Sequence, residues 1–199
     1  MAGIAFEETV IFLRSTQTRE RIAEHSPSRK VPVLIIKANS QNRTLWDTLA
    51  ICETLAERHK DIAFWPEDRG RREEARCIVA EMHSGFPRLR EQMPMDLTTR
   101  HPTPEINSDL NVEIERIKSI WTSALERFRG DGEFLFGEFS LADAFFAPVV
   151  TRVETYSIAL PAIAQAYTQR ILALEPMRKW RDAAEKEMAE ASKASGRAG

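Results

Sequence analysis

Apolar and polar positions change rhythm once along this chain. Up to about residue 60, short apolar runs alternate with turn residues; beyond it, apolar residues recur every three or four positions over long stretches. Glu7 to Leu13, with β-branched and aromatic residues together, predicts a strand. Thr18 to His25, charged with a thin stripe at Ile22 and Ala23, predicts a short helix that Ser26-Pro27-Ser28 ends. Val33 to Lys37 predicts a strand, Ala38 to Asn42 a turn and Arg43 to Leu45 a return strand, which together make a hairpin. A helix follows from Asp47 to His59, with Leu49, Ala50, Cys52, Glu53, Leu55 and Ala56 on one face. Residues 61–70 then read as a linker that packs the aromatics of Phe64-Trp65-Pro66.

After this, only helices are predicted. Gly70 to Leu97 carries Ala75, Ile78, Val79, Met82, Phe86 and Leu89 at helical spacing, and Pro87 should bend or break it. Thr98 to Pro104 is a loop. Glu105 to Arg129 repeats Ile106, Leu110, Ile114, Ile117, Trp121, Leu125 and Phe128, and Gly130-Asp131-Gly132 stops it. Ser140 to Ser157 is apolar on most sides, which marks a central helix. Pro161 and Pro176 suit the first positions of further helices, the last running from Met177 to Ala191. The domains expected are thus a small α/β module over 1–60, the linker, an all-helical module over 71–191 and a frayed tail over 192–199.

Composition narrows the function. Twenty-eight basic against thirty acidic residues leave a formal charge of −2, which argues against a dedicated nucleic-acid binder. The longest apolar run, Ala144 to Val150, is too short to cross a bilayer, and Met1 to Glu8 does not read as a signal peptide. Cys52 and Cys77 read as small core residues, not as a disulfide framework. A reducing, cytoplasmic setting fits this usage, with neither membrane nor nucleic acid as partner. The four histidines are scattered, so no metal site is expected.

Two stretches carry candidate chemistry. In Arg29-Lys30-Val31-Pro32-Val33-Leu34, the proline fixes its own torsion and pushes Val31 toward an extended backbone. With a cis Val31–Pro32 bond, Val31 would turn its N–H and C=O outward, where an extended peptide could pair with them. In Leu45-Trp46-Asp47-Thr48-Leu49-Ala50-Ile51, an acid and a hydroxyl stand where a helix starts and free N–H groups attract an anion. A peptide-binding edge beside a carboxylate-binding helix start suits a small acidic peptide. Each stretch also has a plain structural reading, a strand leaving a turn and a helix cap. A third, Gly137-Glu138-Phe139-Ser140-Leu141-Ala142-Asp143, is a capping box in which Ser140 and Asp143 exchange backbone bonds.

Together, in this order, the three motifs resemble those of the cytosolic glutathione transferases of bacterial type, and the resemblance runs from about Ala2 to Ala191. It implies a thioredoxin-like glutathione-binding domain followed by an all-helical domain. It implies glutathione as co-substrate with no metal, a small electrophile as second substrate, a role in detoxification, and a homodimer that sets the small domain of one subunit against the helical domain of the other. On that resemblance Val31 would pair with the cysteinyl backbone of glutathione and Pro32 would hold the geometry. Asp47 would take the γ-glutamyl ammonium, and Thr48 with the adjacent N–H groups its carboxylate. Lys30 would reach the glycyl carboxylate. Asp-Thr replaces the family's usual Glu or Gln followed by Ser. Met82, Phe86, Met93 and Met95 are candidates for the electrophile pocket, against the plainer reading of core methionines.

The resemblance fails in one place. The family puts its catalytic hydroxyl or thiol between a first strand and a first helix, whereas Ala2 to Glu8 looks like the turn leaving that helix. The module is therefore expected to lack its first strand and helix, roughly 20 residues by ordinary element lengths. Ser15, the first Ser, Tyr or Cys, follows the strand it would need to precede, so no catalytic residue is assigned. Either the true start lies upstream or the chain is a remnant without catalysis; both leave the Thr9 to Leu13 strand unpaired, which predicts a marginal, aggregation-prone chain. Three other functions stay open: a glutathione-dependent isomerase of the maleylacetoacetate type, a non-catalytic binding protein of the same fold, and an unrelated helical adaptor without a β-module.

Overall fold

The computed structural model describes residues 1–12, 16–38, 41–128 and 130–195, with side chains to residue 190. The chain divides into two compact units, Met1–Phe64 and Trp65–Gly199, so the boundary falls between two aromatics of the expected linker.

Unit 1 contains α1 (Thr18–His25), β1 (Val33–Ile36), β2 (Arg43–Trp46) and α2 (Thr48–Arg58). Only Ile22 of α1 is buried, in keeping with its thin stripe, and the Ser26 N–H closes the helix on the Ile22 carbonyl. The strands pair antiparallel in the register Val33 with Trp46 and Ile36 with Arg43. This hairpin excludes the unrelated helical adaptor. Packing on β1 and β2, α2 buries Ile51 most deeply, so the contact face is centred one residue away from Ala50, which is exposed.

The strand expected at Glu7 to Leu13 does not form over 7–12; Leu13, Arg14 and Ser15 lie outside the described residues. The described sheet is two-stranded, and residues 7–12 pair with neither of its edges. Their β-propensity goes unused because a strand is stable only within a ladder. Phe6, Val10 and Phe12 stand in solvent, and the segment is tied down by an ion pair from Lys37 to Glu7 (2.6 Å) and by the Thr18 hydroxyl donating to the Phe12 carbonyl (2.7 Å).

Unit 2 is helical: α3 (Arg69–Ser84), α4 (Pro87–Gln92), α5 (Ser108–Arg127), α6 (Leu141–Thr155), α7 (Ala162–Ala173) and α8 (Glu175–Ser195). The residue before a proline avoids the right-handed helical region, so the long helix breaks between α3 and α4. Phe86 takes φ 58°, ψ 48°, while its ring is buried. The Glu113 carboxylate then accepts from the Arg88 and Leu89 N–H groups (3.1 and 2.7 Å), capping α4 from outside. The start of α5 falls at Ser108 rather than Glu105, because Asn107 caps it by accepting from Leu110 N–H (3.0 Å); Ile106 is left outside and exposed. In α8 the helix begins one residue before Pro176 and continues through 192–195, where a frayed tail was expected; residues 196–199 lie outside the description.

The core sits around α6, which packs on α3 and α7, while α5 packs on α4 and α7. Trp121, Phe146 and Tyr167 meet edge to face at its centre and are fully buried. Among the described residues no helix is long and apolar enough to cross a membrane, and no group of His, Cys, Asp or Glu could hold a metal ion.

Candidate functional site

The hairpin register brings two distant motifs to one end of unit 1. Because Val33 faces Trp46, Val31 and Pro32 enter β1 at the same end at which Asp47 and Thr48 leave β2 for α2. The Val31–Pro32 peptide is cis. Val31 is 51% exposed, and none of the described residues hydrogen-bonds its N–H or C=O. A bare backbone donor and acceptor therefore flank the exposed edge of β1.

Ser26 holds this approach in place. Its hydroxyl donates to the Lys30 carbonyl (2.7 Å) and accepts from the Lys30 N–H (3.2 Å), and its own carbonyl accepts from Arg29 N–H (3.1 Å). Arg29 turns through φ 56°, and Ser26 is buried beneath. The sequence marked Ser26 only as a helix breaker. Its signal was the Ser-Pro dipeptide, since a turn hydroxyl bonds its own backbone. Lys30 itself is exposed.

At the other motif, Asp47 has φ 74° and caps α2, its Oδ1 accepting from the Leu49 and Ala50 N–H groups (2.9 and 3.3 Å). This corrects one detail. Two of the N–H groups expected for a ligand carboxylate are already taken by Asp47. What remains at the helix start is the Thr48 N–H and hydroxyl, which no described residue engages. On the same helix Cys52 is half-buried; burial first, then the Glu53 and Asp47 charges, push its thiol up. It stays a thiol at neutral pH and is a poor nucleophile. Among the described residues of unit 1 nothing else presents itself as a catalytic thiolate, and Ser15 lies outside the description.

The four pocket candidates separate. Met82, Phe86 and Met93 are buried in unit 2, as the plainer reading of core residues expects, whereas Met95 is exposed. Core and pocket methionines share one helical spacing, which is why sequence could not tell them apart.

The capping box forms at the start of α6. Ser140 N–H donates to Asp143 Oδ2 (2.9 Å), and Ala142 N–H donates to the Ser140 hydroxyl (3.3 Å). Asp143 also does something the sequence did not reveal: its Oδ1 accepts from the Leu135 N–H (3.1 Å), tying the preceding loop to the helix. Burial pushes the Asp143 carboxyl up to about 6, against hydrogen bonding from Leu135, Ser140 and the Tyr167 side that pulls it down. The Tyr167 hydroxyl is buried beside it without a hydrogen bond of ordinary geometry, and burial, then Asp143, push that phenol up. This is structural chemistry; it orients the central helix.

Comparison with known proteins agrees with this arrangement. Residues 1–58 match the family model of the glutathione S-transferase N-terminal domain. A probable maleylacetoacetate isomerase from Caenorhabditis elegans is 26% identical over 100 residues, which are 50% of this chain and 45% of that protein, so the chain spans about half the length of the curated relative it matches. Among solved structures, a glutathione transferase homolog from Burkholderia gl BGR1 with bound glutathione is 24% identical, with a TM-score of 0.65 over 93% of this chain and 86% of that one. A maleylacetoacetate isomerase from Anaeromyxobacter dehalogenans 2CP-1, with glutathione in its active site, is 23% identical, with a TM-score of 0.62 over 89% of this chain and 83% of that one. At these identities the structures speak to fold, a thioredoxin-like module followed by a helical domain. Residues 1–58 thus match the N-terminal domain of the glutathione S-transferases, and the chain has the fold of the solved glutathione transferases it resembles.

Proposed function

We propose that this chain binds glutathione at the hairpin end of unit 1 and uses its thiol in a reaction with a small electrophile. One observation carries the reading. An unpaired backbone N–H and C=O at Val31 stand beside a helix start whose Thr48 N–H and hydroxyl are unengaged. Glutathione offers a peptide backbone for the first and an α-carboxylate for the second. Val31 pairs with the cysteinyl backbone and Pro32 borders it. Thr48 takes the γ-glutamyl carboxylate, where the helix dipole adds to its hydrogen bonds. Asp47 takes the ammonium, and Lys30 the glycyl carboxylate. The residues described bind and orient; the group that ionises the thiol is not assigned. The solved relatives that hold glutathione support the reading.

Calorimetric titration of the chain with glutathione tests it. Saturable binding is expected, equally well with S-methylglutathione, because these contacts read the backbone and the charged ends. Absence of saturation at millimolar glutathione would overturn the proposal.

A second reading, isomerisation of a cis-alkenyl keto acid of the maleylacetoacetate kind, is favoured by the names of the curated relative and of one solved neighbour. Conjugation consumes glutathione stoichiometrically, whereas isomerisation returns it, so free thiol measured at the end of the reaction separates the two. Binding without either reaction would favour the non-catalytic protein of the same fold. A homodimer and a cytoplasmic location belong to the same proposal.

A further inference from the structure

Unit 1 holds two β-forming segments that its fold leaves without a ladder partner. One is the outer edge of β1. Among the described strands β1 pairs with β2 alone, so alternate residues of Val33–Ile36 turn their N–H and C=O groups away from the hairpin. No described residue bonds these outward groups. Ile35 on β1 and Trp46 on β2 stay exposed on the same face. The other segment is residues 7–12. It strings together Thr9, Val10, Ile11 and Phe12, forms no strand, and leaves Val10 and Phe12 more than half exposed. Among the described residues, the bond its backbone makes is the one from the Thr18 hydroxyl to the Phe12 carbonyl.

Charge gives the two segments a register. Glu7 and Glu8 head the first, and Lys37 follows the end of β1. The ion pair between Lys37 and Glu7 (2.6 Å) already joins these ends. With Glu7 opposite Lys37 in an antiparallel ladder, Thr9 falls opposite Ile35, Val10 opposite Leu34 and Ile11 opposite Val33. Ile11 then lies on the face that Val33 shares with Trp46. Within one chain the charged end of this match is made and the ladder is not; the Thr18 hydroxyl holds Phe12 near the head of α1.

We propose that residues 7–11 of one copy add as an antiparallel strand to the open β1 edge of a second copy of this chain. An unpaired edge is a template for another chain, and main-chain bonds along it supply the affinity. Each copy carries both the segment and the edge, so the exchange is reciprocal and closes as a two-fold dimer. The ladder stops at Val33, because Pro32 has no N–H to give, and it leaves Val31 to the ligand proposed above. The inference does not rest on glutathione binding.

Sedimentation velocity of the full chain over a dilution series tests this, with a monomer–dimer equilibrium as the expected result. Val10→Asp should raise the dissociation constant by about tenfold or more, because a charge replaces an apolar side chain that the ladder covers. Val10 is exposed in the single chain, so the melt of the monomer should not move. Glu7→Lys and Lys37→Glu should each weaken association several-fold by setting like charges face to face. An equimolar mixture of these two variants should recover it, because each segment then meets an edge of opposite charge on its partner. A contact inside one chain gives no such recovery. A chain that stays monomeric at the highest concentration, a dimer that Val10→Asp leaves intact, or a mixture no better than its components overturns the proposal. A dimer formed through another face gives the second of these results. Glutathione titration of Val10→Asp should match the wild type, which keeps a failure here distinct from a failure of the glutathione reading.

Discussion

The capping carboxylate of α6 should give unit 2 an unusual pH dependence. Asp143 is buried, and its pKa rises from 3.8 to about 6 in the folded chain. A carboxyl with a raised folded pKa binds more protons folded than unfolded between those two values. Stability therefore falls as pH climbs from about 4 to about 6 and levels off above that. About two pKa units correspond to ~3 kcal/mol at most, an order-of-magnitude figure. Asp96 works in the opposite sense at lower pH. Burial pushes its carboxyl up, but hydrogen bonds from Thr98, His101 and Thr99 pull it further down, below the usual carboxylate range. Its contribution is present above its unfolded value of 3.8 and is lost as pH falls below that. Unit 2 is therefore expected to be most stable near pH 4–5, where Asp96 is ionised and Asp143 still holds its proton. Urea denaturation followed by helical circular dichroism at pH 4.5, 5.5, 6.5 and 7.5 measures the slope. Asp143→Asn keeps the shape and one acceptor and should flatten it. If the wild type is no less stable at pH 7.5 than at pH 4.5, or if Asp143→Asn shows the wild-type slope, burial does not govern this carboxyl and the reasoning fails.

Three further outcomes follow from the geometry. Asp47→Asn keeps an acceptor for the Leu49 and Ala50 N–H groups while removing the charge, so it should weaken glutathione binding and leave unit 1 stable. Asp47→Ala should weaken binding and also destabilise unit 1 by about 1 kcal/mol as a lost cap; equal melting of the two variants would refute the cap. Gly132→Ala should destabilise unit 2 by about 2 kcal/mol or more in denaturant titration, because a Cβ there would collide with the Gly137 backbone at φ +149°. Arg116→Met breaks a two-point contact with Glu81 (2.6 and 2.7 Å), but the pair is partly exposed, so the loss should stay below about 1 kcal/mol. A larger loss would mean that unit 2 depends on surface charge pairs.

The fold was legible wherever one signal had one meaning. The α1 helix has the expected bounds, the hairpin stands where its turn residues put it, and the break at Pro87 follows from a steric rule that no tertiary contact overrides. The expectation for residues 7–12 failed for the opposite reason. β-propensity states what a segment can do in a ladder and does not supply the neighbouring strand. The starts of α5 and α8 were misplaced by a few residues because the Asn107 cap and Glu175 at the head of α8 compete with equally plausible neighbours.

The candidate site was legible in its residues and illegible in its supports. Val31-Pro32 and Asp47-Thr48 could be picked out because prolines and helix-start acids constrain the backbone locally. Their adjacency needed the pairing of Val33 with Trp46, a single register among several that the hairpin could have adopted. A slip of one residue would turn Asp47 to the other face and leave Val31 facing nothing. Thr48, rather than the whole first turn, offers itself to an anion because Asp47 spends its carboxylate on its own helix. That arrangement places a negative charge next to the N–H group that would hold a ligand carboxylate. Such a site should discriminate against a lone carboxylate and favour an α-amino acid end, in which the ammonium answers Asp47 while the carboxylate answers Thr48. Glutathione should therefore bind more tightly than its des-amino analogue, and Asp47→Asn should narrow the difference between them. Equal affinity of the two ligands in the wild type would show that Asp47 serves the helix alone.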